Sequence, residues 1–343
     1  MKAMVLEAPN TAFVLKQVPD PEAGPGEAVA RVLACGSGLT IQHVKAGRTA
    51  ADFPLIIGHE ITGEIVEVGS GASGLAAGDA VTAYFYLSCG HCRWCVANLE
   101  PLCDNTGGHV GRNCDGGYAE FIKLPARNFI KLPDGLDYKA RPAEVGVISD
   151  ALATPLKVLN RARIRAGETV AVFGAGGGLG IHQVMMARWA RTRVIAVETR
   201  AEKFDACRQA GADEVVDASS GNVAEALLDL TNGHGVDVAI DYVSVTATLE
   251  AGARALGKRG RLVTLGGAGQ TFQADARAML QKEQDLLGSR YVSRSEINEA
   301  LQLVARGEIR PMVTDIRPLE EAEALHGAVE KGDVIGRAAL TIG

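Results

Sequence analysis

The sequence has no uninterrupted apolar run of about 18 residues, the length a membrane-crossing helix needs, although hydrophobic residues make up 47% of it. No membrane segment is expected. Its opening, Met1 to Val18, has no continuous hydrophobic stretch followed by a small-residue cleavage site, so secretion is unsupported and a cytoplasmic location is the expectation. Positive charge is also short. Against 41 Asp and Glu there are 35 Lys and Arg, a formal net charge of -6, which excludes the basic face that a phosphate backbone requires. Nucleic acid is not an expected partner. Long repeats and low-complexity linkers are absent as well. Cysteine is scarce outside one cluster: Cys35, Cys114 and Cys207 are scattered, whereas Cys89, Cys92, Cys95 and Cys103 lie within fifteen residues. That distribution argues against a disulfide framework and for metal ligation.

What is there divides in two. At 343 residues the chain is about twice the common single-domain length, so two cores are expected. Up to about Pro133 short alternating runs such as AVARVLA (28–34) and GEIVEVG (63–69) read as strands joined by glycine and proline turns. From Glu168 the pattern becomes apolar strand, glycine turn, amphipathic helix: TVAVFG, LGIHQVMMARWA, RVIAVE, AEKFDACRQAG. Such alternation predicts parallel strands with crossover helices, continued by VDVAIDYV and GRLVTLGG. The tail predicts helices over 296–306 and 319–330 and a final strand in GRAALTIG. The expected fold is α/β, a β-rich domain followed by a doubly wound parallel sheet.

Directly after TVAVF comes GAGGGLG, formed by Gly174, Ala175, Gly176, Gly177, Gly178, Leu179 and Gly180. Glycines between a strand and a helix allow backbone N–H groups to approach a pyrophosphate, whose charge the helix amino terminus stabilises. The loop is one residue longer than the usual pattern. Gly177 and Gly180 have the spacing of its last two glycines, which leaves Ala175 in the first position with Gly174 and Gly176 beside it. The next strand ends at Glu198, where an acid would bind the adenosine ribose hydroxyls. That favours NAD over NADP, while Arg200 and Lys203 are placed to meet a 2′-phosphate.

CGHCRWCVANLEPLC has the form C-x2-C-x2-C-x7-C. Four thiolates this close wrap one zinc tetrahedrally and leave no open position, so Cys89, Cys92, Cys95 and Cys103 are expected to hold a structural zinc, with His91 a solvated loop residue.

Together with GHEITGEIVEVGSG (58–71), GDAV, DGGYAEFI (115–122) and IGRAAL, these motifs resemble the zinc-containing alcohol dehydrogenases of the medium-chain dehydrogenase/reductase family over essentially the whole chain. The resemblance implies a GroES-like catalytic domain from residues 1–150 and 290–343 and a Rossmann cofactor domain from 151–289. It implies an NAD(H)-dependent enzyme acting on a small-molecule substrate, assembled as a homodimer or homotetramer. Arg337 would lie against the cofactor pyrophosphate, and Phe85, in AYFYL, would line an apolar or aromatic substrate pocket.

In that family a catalytic zinc is held by a cysteine in G-x-C-x-T/S, by the histidine of GHE and by a cysteine or aspartate before A-x-x-T. Here the resemblance gives His59, with Glu60 beside it, and Asp150, four residues before Thr154. Aligning Thr40 and His43 with the family's proton relay puts Gly38 where the cysteine should be. Cys35 stands three residues early, a shift of up to about 10 Å in an extended chain, and reads most simply as a buried structural residue. The catalytic zinc site is therefore atypical, with Glu60 as an alternative third ligand, or empty. The resemblance implies alcohol and carbonyl interconversion, Thr40 and His43 moving the proton. The alternative is a zinc-free ene reductase acting on an activated enone, for which Gly38 would open volume beside the nicotinamide.

Overall fold

A computed structural model describes residues 1–267 and 269–343. It divides into two compact units, Met1–Ala153 with Val292–Gly343, and Thr154–Tyr291. No helix among the described residues is long and apolar enough to cross a membrane.

The first unit begins with β1 (Lys2–Leu6), β2 (Val14–Gln17), β3 (Glu27–Ser37), the short helix α1 (Leu39–Lys45), β4 (Leu55–Ile56), β5 (Glu60–Val68), β6 (Ala80–Ala83), β7 (Phe121–Pro125) and β8 (Phe129–Lys131). β1 pairs with β2 and β4. The two alternating runs read from the sequence fall inside β3 and β5, which pair antiparallel along most of their length.

The second unit contains β9 (Thr169–Phe173), the helix α2 (Gly180–Trp189), β10 (Arg193–Glu198), β11 (Glu214–Asp217), β12 (Val236–Asp241), β13 (Leu256–Thr264) and β14 (Asp285–Gly288). Their order is β11-β10-β9-β12-β13-β14, and every pairing is parallel. Sheets covered by helices on both faces need strands apolar on both faces. Val170, Ala171, Val172 and Phe173 are accordingly all buried, as are Val194 to Val197. Chain order turns back at β9, so the strand-to-helix loop after it sits at the switch point where such sheets bind nucleotides. The stretch AEKFDACRQAG departs from a continuous helix: a 3-10 turn over Ala201–Lys203 leads into a helix over Phe204–Gln209.

The chain then returns to the first unit with α3 (Arg294–Ala305), β15 (Val313–Pro318), α4 (Ala322–Lys331) and β16 (Arg337–Thr341). α3 starts two residues before the helix read from periodicity, because Ser293 and Glu296 form a reciprocal capping box that fixes the first turn. α4 is preceded by a 3-10 turn over Leu319–Glu321 and ends at Gly332 in the left-handed region, φ 72°, a conformation glycine adopts without steric cost. The main sheet of this unit runs β15-β16-β3-β5-β6-β8, with β7 also paired to β3. β3 thus lies between β16 and β5, and that position builds the site.

Candidate active site and cysteine lobe

Register decides what meets across β3. Gly36 is opposite Glu60 on β5, and Ser37 is opposite Ala338 on β16, so Arg337, the first residue of β16, comes beside Gly38. Side chains two apart in an extended chain share a face. Gly36 and Gly38 therefore leave one face of the central strand bare, and over it the side chains of the two flanking strands meet. Arg337 Nε donates to Glu60 Oε2 at 2.9 Å, while Nη2 lies 2.9 Å from Glu60 Oε1 and 3.5 Å from Asp150 Oδ2. The backbone N–H of Ala151 donates to Glu60 Oε1 at 3.0 Å. Glu60 is 0% and Arg337 5% exposed. Burial pushes the Glu60 carboxyl up, against the pull of Arg337.

The backbone at Gly38 is extended, φ −158°, and strains no residue type. What a side chain there would meet is the Arg337 guanidinium: an ideal Cβ overlaps Nη1 and Cζ and comes 2.6 Å from Nη2. The volume that glycine was expected to open at this position is filled by that guanidinium. At Gly36 a Cβ would collide with Glu60 Oε2 and come 2.8 Å from Val147 Cγ1. Cys35 points to the other face of β3, fully buried, with its sulfur against Gly58 and Gly117. This accounts for its being a packing residue.

His59 Nε2 stands 3.2 Å from Asp150 Oδ2, both residues buried. The Phe85 ring lies against the imidazole, centroids 4.4 Å apart, and His109, which sequence reasoning missed, is tilted against Phe85 with centroids 4.9 Å apart. A separation of 3.2 Å suits two ligands of one zinc, but a catalytic zinc takes three protein ligands. Glu60 is held by Arg337 and Ala151, and Gly38 offers no third donor. The residues present do not fit a catalytic zinc.

Thr40 and His43 lie on α1, Thr40 exposed and His43 half-buried. Burial, then Arg48, lowers the His43 pKa, and its buried Nδ1 has no hydrogen-bond partner among the described residues. A second group, not foreseen from the sequence, anchors α1 from behind. His326 on α4 is 1% exposed; its Nδ1 is 2.6 Å from Gln42 Oε1 and its Nε2 2.9 Å from the Tyr118 hydroxyl. A carbonyl oxygen only accepts, so Nδ1 carries the proton and Nε2 accepts from Tyr118. Burial holds this imidazole down at about 3.

In the second unit the loop after β9 is tightest at three glycines. Gly174 has φ 70°. A Cβ on Gly176 would meet Lys203 Cβ at 2.7 Å and Glu198 Oε2 at 2.9 Å, and one on Gly180 would collide with the Gly174 carbonyl and meet Ala175 Cα at 2.8 Å. The obligatory positions are thus Gly174, Gly176 and Gly180, with Gly177, Gly178 and Leu179 forming a three-residue interval that absorbs the extra residue. Glu198 Oε2 accepts from the Gly176 N–H at 2.8 Å, and Oε1 from Thr199 at 2.8 Å and Arg200 at 3.1 Å. Lys203 is buried and Arg200 pairs with Glu202 at 3.3 Å. A loop that no side chain can fill, with a helix amino terminus behind it and an acid at its edge, fits a dinucleotide.

The cysteine lobe is the opposite case to Gly38. The sulfurs of Cys89, Cys92, Cys95 and Cys103 lie within 4.8 Å of one another, and they form the one such group of three or more metal-ligating side chains among the described residues. Sulfur separations are 3.5 Å for Cys92–Cys95 and 3.9 Å for Cys89–Cys95 and Cys92–Cys103. Tetrahedral zinc at ~2.3 Å from each sulfur requires about 3.8 Å, so these residues fit a zinc. His91 is exposed, with Nδ1 3.0 Å from the Cys89 carbonyl.

Comparison with known proteins places this arrangement. Residues 24–134 match the family model for the alcohol dehydrogenase GroES-like domain, and residues 178–306 that for zinc-binding dehydrogenase. An alcohol dehydrogenase of Geobacillus stearothermophilus is 33% identical over 347 residues, covering 100% of this chain and 99% of that protein. The chain belongs to the zinc-type medium-chain alcohol dehydrogenase family. The alcohol dehydrogenase of Aeropyrum pernix superposes with a TM-score of 0.91 at 32% identity, over 99% of this chain and 100% of that one. An acryloyl-coenzyme A reductase of Metallosphaera sedula is 29% identical over 346 residues, 99% of this chain and 100% of that protein. As a member of this family the chain is an oxidoreductase with a GroES-like and a Rossmann-type part. Its family relationship supports NAD and zinc in general.

Proposed function

We propose that the chain interconverts an apolar or aromatic alcohol and its ketone or aldehyde with NAD(H). The observation that carries this reading is the pair Thr40 and His43 on α1, directly after Gly38, with the His43 Nδ1 buried and open to a partner. NAD, when bound, supplies the hydride acceptor or donor at its nicotinamide. The reaction balances as alcohol plus NAD⁺ giving carbonyl, NADH and one proton, so a path for that proton is needed. Thr40, exposed at the start of α1, exchanges it with the substrate oxygen. His43, kept neutral by burial and Arg48, accepts it and passes it on toward water. Phe85, lying on His59, offers the apolar surface that favours an apolar or aromatic substrate. Gly174, Gly176 and Gly180 shape the loop for the dinucleotide phosphates, Gly177, Gly178 and Leu179 complete it, and Glu198 favours NAD by binding ribose hydroxyls. Buried Lys203 and paired Arg200 give a 2′-phosphate less. The four cysteines hold a structural zinc, and the enzyme assembles as a homodimer or homotetramer in the cytoplasm.

A panel of secondary alcohols, ketones, aldehydes and enones, followed by NADH absorbance, tests the reading. Turnover of at least one alcohol–carbonyl pair is expected, with Thr40→Val lowering kcat about 10²-fold or more. NADH binding with no turnover of any class would contradict it. A second reading, a zinc-free ene reductase on an activated enone, is favoured by the absent third ligand at Gly38 and by the acryloyl-coenzyme A reductase likeness. Proton NMR of the product from an enone separates the two: a saturated ketone means C=C reduction, an allylic alcohol means carbonyl reduction.

A further inference from the structure

We propose that Glu330, on α4, sets the charge of His43 by neutralising the Arg48 guanidinium beside it, which makes Glu330 a positioning residue for the proton step. For the reaction, the inference rests on reading Thr40 and His43 as the relay. α1 packs against α4, and the groups around His43 come from three places. On α1 itself, Lys45 is taken up by Glu323 of α4, 3.0 Å away. In the turn after α1, the backbone N–H groups of Arg48 and Thr49 donate to the His43 carbonyl at 2.9 and 3.1 Å. Arg48 is thereby anchored next to the histidine. On α4 stand the neutral His326 and Glu330, whose Oε2 accepts from Arg48 Nη2 at 2.6 Å.

Glu330 is held from two sides. Arg48 donates from one, and from the other comes Gln42, whose amide oxygen takes the His326 Nδ1 proton at 2.6 Å and whose nitrogen is left for Glu330. These hydrogen bonds, that of Arg48 first, hold the Glu330 carboxyl below its ordinary value, so it is ionised wherever a histidine titrates. Arg48 and Glu330 are the charged groups that act on His43, and they act in opposite directions: after burial, Arg48 presses the imidazole toward its neutral form, and Glu330 pulls it back. A proton acceptor has to be neutral when the alcohol gives up its proton, yet basic enough to take it. Arg48 alone would remove that basicity. Glu330 restores it from an element some 280 residues away in the chain. Both side chains are 42% exposed, so replacing either costs the fold little, and salt reaches the pair.

Titration of the His43 Cε1–H resonance, followed by proton NMR on the full chain and assigned by its absence in His43→Gln, tests this on the parent, Glu330→Gln, Arg48→Gln and the double variant. Glu330→Gln should move the midpoint down and Arg48→Gln should move it up. The double variant should return near the parent, and salt at about 1 M should draw all four together. Both single variants break the same ion pair, so a merely structural role would move them alike. Midpoints that shift in the same direction, or not at all, would overturn the proposal. The acid limb of kcat/KM for alcohol oxidation, where His43 has to lose its proton before it can accept another, should follow the same order. At a fixed pH on that limb Glu330→Gln should be about threefold faster than the parent and Arg48→Gln about threefold slower, the scale of an interaction between exposed charges. Opposite shifts of the resonance with an unmoved kcat/KM limb would defeat the relay reading and leave the control of His43 by Glu330 standing.

Discussion

The first unit holds two places at which the sequence leads one to expect zinc, and they differ in the completeness of their donor sets. The lobe brings four sulfurs within 4.8 Å of one another on a segment with little apolar sequence, where a bound metal would replace a core. The centre at Gly38 keeps two donors, His59 and Asp150 at 3.2 Å, and has glycine where the third would stand. A metal site is a set of donors at fixed separations. Remove one from a buried site, and the remaining charge has to be met by something already in the protein. Here the sheet register delivers it, since β16 carries Arg337 past the gap that glycine leaves.

Breaking the lobe should have the largest effect. Binding of structural zinc contributes on the order of 10 kcal/mol to the fold of such segments, so Cys103→Ser should leave residues 89–103 open to limited proteolysis under conditions where the parent resists. Breaking the other centre should cost less. Arg337→Leu leaves Glu60 buried without its counter-ion, and a loss of about 3–5 kcal/mol is expected in chemical denaturation; Glu60→Gln in the same background should recover part of it, as removal of both charges does for buried pairs.

A smaller, pH-dependent effect comes from behind α1. His326 is held at about 3 in the folded protein against about 6.5 unfolded. Stability from keeping it neutral is complete above pH ~6.5 and is lost as pH falls toward 3, about 2 kcal/mol by pH 5. His326→Gln should flatten the stability difference between pH 7 and pH 5 by that amount, and an unchanged difference would count against the buried neutral imidazole. Smallest of all, Glu198→Ala in the second unit should raise KM for NADH about tenfold, the value of one charged hydrogen bond, and narrow its preference over NADPH. That leaves the cysteine lobe and the centre at Gly38 untouched.

Local signals were the legible ones. The four cysteines carry their spacing in sequence, and the glycine loop and Glu198 follow from strand and helix periodicity. Even there the register of the loop was open until steric contact singled out Gly174, Gly176 and Gly180, because glycine spacing alone does not say which position faces backbone. The centre at Gly38 was legible only as an absence. Its replacement depends on strands separated by some 300 residues in the chain, Ser37 against Ala338, and no local pattern encodes such pairing. One sign was available: Gly36 and Gly38, two apart in an apolar strand, announce a bare face that something else must cover. His326 and His109 were unreadable for the same reason, each being defined by partners on distant elements.

Anomalous X-ray diffraction at the zinc edge, on crystals of the full chain grown with zinc and NADH, tests the central claim most directly. The account predicts one anomalous peak, among Cys89, Cys92, Cys95 and Cys103, and guanidinium density from Arg337 packed on Gly38 and Glu60. A second peak within bonding distance of His59 Nε2 and Asp150 would contradict it.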